Sequence, residues 1–297
     1  MKTPDRFDLS IGHYYNLVRC GDCQHIYLNP RPLETVSGKY YENSSYSPHI
    51  STQSALSLQD RLYMFLRQFN NKNKRRLIAK HAPNTGKLLD LGCGTGEFIM
   101  EMQSAGWEVQ GVERDEKAAE FGRTENGLPI LTGTLQDLTK DAGPFNVVTM
   151  WHVLEHIYSP ITEIEHIYNF LVQDGFLVLA VPNAASIDAK YYQNNWIAWD
   201  TPRHVNHFHL KSLQKFLEMH KFKLVQKSNL SLDSLFNALM SEQLIAQRKG
   251  ASSLEKAGMM VRAAIVGKVS LLAGLLSPLL QQSRGASLLT VWQKSEN

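Results

Sequence analysis

The 297-residue chain reads as an α/β protein built on a mostly parallel sheet, with an appendage before it and a helical insertion near its end. Three observations predict this. From Lys87 to about Asn229, short apolar runs alternate with amphipathic segments, as repeated strand–helix units require. One of those runs, Leu88 to Leu91, leads straight into the glycine turn Gly92-Cys93-Gly94-Thr95-Gly96. An apolar content of 43% over this length is enough for one large core.

The elements follow in order. Residues 1–50, rich in Tyr, Asn and Pro around a Cys-x-x-Cys pair, form the appendage. Residues 51–231 are the core. It opens with a helix from Ser54 to His81, where Leu58, Leu62, Phe65, Leu66 and Phe69 recur at helical spacing and the basic run Lys72 to Arg76 lies near the end. Strands are predicted at Leu88 to Leu91, Glu108 to Val112, Pro129 to Leu131, Asn146 to Met150, Phe176 to Val181 and Lys223 to Lys227. Helices fill the intervals at Glu97 to Ala105, Glu116 to Arg123 and Ile161 to Leu171. Residues 232–284 form a helical insertion or lid. Residues 285–297 bring a last strand, Ser287 to Trp292, back to the core.

Composition narrows the partners. The net charge of +3 is spread over 31 basic and 28 acidic residues without a Lys/Arg stripe, so no nucleic-acid partner is expected. Three cysteines and an N-terminus without an apolar h-region point to a reduced, cytoplasmic setting.

The glycine turn carries the densest chemistry. Gly92, Gly94 and Gly96 can take backbone angles closed to other residues and let a ligand meet bare main chain where the strand ends. A dinucleotide fingerprint needs G-x-G-x-x-G; here the spacing is D-x-G-x-G-x-G, and Glu97 stands where the third glycine would be. A carboxylate in that first helical turn disfavours a pyrophosphate, so a nucleoside without phosphates is expected. Glu113 ends the next strand about twenty residues on, the place of an acid that accepts both ribose hydroxyls. Asp137, after the third strand, is suited to accept from an adenine amino group.

These pieces, with Val153-Leu154-Glu155-His156-Ile157, Asp174-Gly175-Phe176, Val181-Pro182-Asn183 and Thr201-Pro202-Arg203-His204, resemble the class I S-adenosylmethionine-dependent methyltransferases, particularly the group related to ubiquinone-biosynthesis O-methyltransferases. The resemblance implies a Rossmann-like, seven-stranded, mostly parallel sheet with flanking helices, and S-adenosylmethionine as cofactor. It implies that Gly92 and Gly94 line the methionine portion, Asp90 holds its amino group through the loop, Glu113 binds the ribose, and Asp137 with Leu138 frames the adenine. Cys93, Gly96 and Trp151 complete the expected cofactor set. The implied reaction is methyl transfer to a small-molecule acceptor, at oxygen. Two rivals stand beside it: an NAD-dependent oxidoreductase on a similar sheet, and a non-catalytic nucleoside-binding scaffold.

An acceptor hydroxyl needs a base, and histidine suits that work at neutral pH. His204, His156 and His152 are the catalytic candidates, with His207 and His209 behind them. At each, a role in ordering the loop stands as the alternative. The aromatic run Tyr191-Tyr192 and Trp196 to Trp199 suggests an apolar lid. Glu155, His156 and His207 are suitable ligands for a divalent ion, but the spacing does not establish one and no metal is assigned.

Cys20-Gly21-Asp22-Cys23 resembles the second knuckle of the zinc ribbon that precedes many such methyltransferases. A structural zinc needs four ligands; the first cysteine pair has no counterpart, and His13 and His25 are the nearby substitutes. A degenerate, metal-free hairpin is expected. In the tail, Ile265, Val269, Leu272, Leu276 and Leu279 make an aliphatic stripe opposite Gly267, Ser270, Gly274 and Ser277, and Pro278 disturbs the last turn. Two partners suit residues 263–280: the inner face of a membrane, contacted peripherally, and a second copy of the chain in a homodimer.

Overall fold

The computed structural model describes residues 1–7, 14–41, 58–276 and 283–296, with the side chains of 58–67 and 231 outside the description. His13, Ser277, Pro278 and Leu279 lie outside the described residues.

A seven-stranded sheet forms the centre. Its strands are β4 (Lys87–Leu91), β5 (Glu108–Glu113), β6 (Ile130–Thr132), β7 (Phe145–Trp151), β8 (Leu171–Pro182), β10 (Phe222–Ser228) and β11 (Ser287–Lys294), in the order β10-β11-β8-β7-β4-β5-β6. All neighbouring pairs from β8 to β6 are parallel, and β11 runs antiparallel to both its neighbours. β4 sits between β5 and β7 with Leu88 to Leu91 all buried, which is why it reads as an uninterrupted run. β8 begins at Leu171 rather than Phe176, crossing a register shift against β7 with Asp174 at φ 61°.

Helices cover both faces. α1 (Leu58–His81), α2 (Glu97–Ser104) and α3 (Glu116–Thr124) pack on one side, where Ile78, Ile99 and Ala119 meet Leu88 and Val147. α4 (Pro160–Phe170) and α6 (Leu210–Met219) pack on the other, where Ile164 and Leu213 meet Leu89 and Val148. The starts are set locally: Asp115 accepts from Ala118 N to open α3, and Pro160 opens α4 as its first residue.

The appendage is knitted into the core. β1 (Lys2–Pro4), β2 (Tyr14–Arg19) and β3 (Ile26–Leu28) form an antiparallel sheet completed by β9 (Asn206–His207), with Tyr27 opposite Asn206. Leu17, Ile26 and Leu28 share an apolar cluster with Trp196, Trp199 and Val205. Of the aromatic run expected to form a lid, only Tyr191 is exposed, at 54%; Tyr192, Trp196 and Trp199 are core, at 3%, 2% and 5%, beneath both the hairpin and the insertion. α5 (Ile187–Tyr192) leads into it. The insertion is a helical hairpin of α7 (Ser231–Lys249) and α8 (Ser253–Leu275), turned at Gly250 with φ 61°.

Candidate functional site

The glycine turn lies where β4 ends. Gly92, Gly94 and Gly96 all take positive φ, at 68°, 58° and 86°. A Cβ on Gly92 would lie 2.5 Å from Val153 Cγ2, so the turn is pressed against the segment that follows β7. Glu113 is tied to the turn: one oxygen accepts from Gly94 N at 2.8 Å and the other from Asp115 N at 2.9 Å. Asp90, 2% exposed, accepts a hydrogen bond from the Thr149 hydroxyl beneath the loop. Burial pushes its carboxyl up to about 7, against the pull of Thr149 and Lys74. Cys93 is buried, and burial with the Asp90 and Glu113 charges raises its thiol far out of the reactive range.

Trp151 ends β7 with Phe98 packed edge-on at 5.2 Å. Its indole N–H is buried without a hydrogen-bond partner among the described residues. Lys74 places its ammonium 4.2 Å above the same ring. Asp137 is exposed and accepts from both Thr134 N and Thr134 Oγ1, which holds its carboxyl below the ordinary value; Leu138 follows it, half-buried.

The histidines converge just beyond. His152 takes φ 59°, a left-handed conformation costly for a residue with a side chain. Its Nε2 lies 3.1 Å from Asp233 Oδ2, in the first turn of α7, and its Nδ1 3.5 Å from Glu155 Oε1. Burial opposes the charge, yet Asp233 and then Glu155 drive this imidazole up to about 10. Glu155 is 1% exposed, and its carboxylate takes no hydrogen bond closer than that long contact among the described residues. Burial alone would raise it; His152, with His204 and His156, holds it below the carboxylate range. His156 is half-buried, with Nδ1 3.0 Å from the Tyr41 hydroxyl and 3.1 Å from the Arg203 carbonyl. His204 stands edge-on to His156 at 4.6 Å, with Nδ1 donating to the Ala198 carbonyl at 2.9 Å. Burial and the neighbouring His156 push it down to about 4, so it is neutral at physiological pH. His207 is buried against Trp199, and His209 caps α6.

Glu155, His156 and His204 bring one ligand atom each within 4.8 Å of one another. That trio, with His204 in the place weighed for His207, has the chemistry to hold a divalent ion. Behind it lies a buried ion network in which Arg203 bonds Asp5 at 2.6 Å and Asp200 at 2.8 Å. Arg6 reaches Asp200 at 3.1 Å. Burial opposes the Asp200 charge, but Arg6 and Arg203 hold its carboxyl down to about 2.

Lys74, Asp233, Tyr41 and Asp5 were not foreseen as site residues. Lys74 lay in a visible basic run; nothing local distinguishes the other three. Cys20 and Cys23 sit on the β2–β3 turn, where backbone N–H groups of Cys23 and Asp22 lower the Cys20 thiol. His25 bonds Asn206 at 3.1 Å. No third ligand joins the cysteines among the described residues.

A family model described as a methyltransferase domain matches residues 49–227. The ubiquinone biosynthesis O-methyltransferase of Haemophilus ducreyi is 35% identical over 107 residues, 33% of this chain and 45% of that protein. The Maricaulis maris protein of the same name is 30% identical over 131 residues, 41% of this chain and 52% of that one. The chain thus spans about half the length of the curated relatives it matches. Among solved structures, magnesium protoporphyrin IX methyltransferase from Synechocystis PCC 6803 with bound SAH superposes with a TM-score of 0.54 at 13% identity, covering 89% of this chain and all of that one. A Galdieria sulphuraria protein described as a sarcosine dimethylglycine methyltransferase gives 0.53 at 12% identity, covering 80% and 88%. At these identities the likeness is one of fold.

Proposed function

The chain belongs to the methyltransferase domain family, and from that premise we propose that it transfers a methyl group from S-adenosylmethionine to a hydroxyl oxygen of a small-molecule acceptor in the cytoplasm. The observation that carries the reading is the contact between Gly92 and Val153. It joins the nucleoside half of the site to the histidine half, with His156 three residues further along the chain. The names of the curated relatives support oxygen as the attacked atom.

The donor groups fit an adenosyl amino acid. Glu113, held by two backbone N–H groups, keeps lone pairs on both oxygens for a ribose diol. Lys74 beside Trp151 suits a carboxylate, Asp90 beneath the loop an ammonium, and Asp137 with Leu138 the adenine edge. When bound, S-adenosylmethionine supplies an electrophilic methyl on a sulfonium sulfur. The chain's task is then alignment in a dry site and removal of one proton. His156 is the proton acceptor in this reading. Donation from Nδ1 to the Arg203 carbonyl leaves the Nε2 lone pair free to take the proton. His204, neutral and tied to Ala198, orients the His156 ring. His152, charged between two carboxylates, has no lone pair to offer and positions the insertion.

Calorimetry with S-adenosylhomocysteine and with NAD, paired with label transfer from methyl-labelled cofactor to phenolic acceptors, tests the proposal. Product binding with transfer supports it. Binding of NAD alone would turn the reading to an oxidoreductase, and binding of neither nucleoside to a scaffold.

A further inference from the structure

We propose that the outer face of α8 docks on an anionic lipid bilayer. The helix is packed in the reverse of the usual sense. Its buried positions are Met259, Ala263, Val266, Gly267, Ser270 and Gly274, which are mostly small. That face is held by close approach and by hydrogen bonds. A Cβ on Gly267 would lie 2.9 Å from a Leu235 methyl and 3.1 Å from Leu235 Cα. Ser270 Oγ donates to the buried Asp188 at 3.0 Å, and Asn229 donates to the Gly274 carbonyl at 2.8 Å. The small residues therefore fix which way the helix is turned, and the large aliphatic ones point outward. Val261, Ile265, Leu272, Leu275 and Leu276 are each 54–61% exposed, and nothing among the described residues covers them.

A soluble helix places its apolar stripe inward. Here the stripe runs out along a helix of 23 residues, about 35 Å long. Such a stripe needs an occupant. Spanning a bilayer is not open to this helix, because its inner face is committed to α5 and α7; lying in the interface is. Charge selects between lipid and a second copy of the chain. The exposed stripe of α8 carries Lys268 and no acid; Arg262 beside it is paired with the buried Glu242 at 3.0 Å, and Glu255 is bonded back to Ser252 at the helix start. Arg248 and Lys249 end α7 close by. Lys268 sits in the middle of the stripe, between Ile265 and Leu272. A two-fold dimer centred there would press the two Lys268 side chains together among aliphatic groups with no acid at hand. On a bilayer the Lys268 stem lies in the apolar layer and its ammonium reaches lipid phosphate.

Flotation of the full chain with phosphatidylcholine vesicles, with and without phosphatidylglycerol, tests the inference. Co-flotation is expected with the anionic vesicles and is much weaker on phosphatidylcholine alone. The double variant Ile265→Asn, Leu272→Asn should bind at least about tenfold more weakly, and Lys268→Ala about fivefold. Both change exposed positions, so thermal unfolding should not move. Absence of flotation by the parent protein, or unchanged flotation of the double variant, overturns the inference. So does a parent dimer in sedimentation that the double variant dissolves into monomers, which would assign the face to a second copy.

Discussion

The two halves of the site are built in different ways. The nucleoside half comes from one continuous stretch: β4, the glycine turn and the end of β5 meet within 24 residues, Asp90 to Glu113, and main-chain groups do most of the work. The acceptor half is assembled from segments far apart in sequence. His156 touches Tyr41 and Arg203, Arg203 reaches Asp5, and His152 is held by Asp233. A backbone cradle needs only the right local angles. A side-chain cluster needs the whole chain in place, and each member changes what the others can do. His204 and His152 illustrate this, since neighbours make one neutral and the other a cation.

If this contrast is right, damage should stay within the half that receives it. The largest effect is expected at Arg203. Replacing it with Met leaves the Asp5 and Asp200 carboxylates buried without their guanidinium, a cost of about 3–5 kcal/mol. The denaturant midpoint should fall by a corresponding amount, and an unshifted midpoint would mean that the network is not buried in solution. Next comes His156→Gln. Methyl transfer should drop about a hundredfold or more while calorimetric affinity for S-adenosylhomocysteine is unchanged; equal losses in both would break the separation of the halves. The reciprocal change, Glu113→Ala, should weaken product affinity about thirtyfold, in line with about 2 kcal/mol for charged hydrogen bonds. Acceptor KM at saturating cofactor should stay put.

The smallest effect is a pH slope. Folded His152 titrates near 10, against about 6.5 in the unfolded chain. Protons bound only in the fold stabilise it, so this contribution is complete below about pH 6.5 and disappears as pH rises through 10. Urea midpoints of the parent and of Asp233→Asn should therefore converge between pH 7 and 10. Parallel curves would show that the His152–Asp233 pair does not hold α7 against the site.

Strand and helix spans from Leu88 to Leu171 were readable almost residue by residue, because apolar period and glycine placement act over a few neighbours. The glycine turn and Glu113 were readable for the same reason: φ above zero and a strand-end acid are local properties. The Trp196 to Trp199 run was read as a lid because an aromatic cluster on a connection looks the same whether it is covered or not. It took α7, α8 and the β2–β3 hairpin closing over it to make it core. That the appendage hairpin packs on the core follows from its apolar side chains, but that β9 would complete its sheet is written in no local pattern.

Local pattern thus sufficed for the strand and helix layout, the bare turn and the acid that faces it, since dihedral preference and side-chain period are written into neighbouring residues. Burial, protonation and helix orientation were settled by long-range packing. Whether His204 is charged depends on what surrounds it, and α8 turns its aliphatic side to solvent because small residues let its other side come close to α7 and α5. Periodicity reveals that a helix has two faces, but the closer fit decides which of them is inside.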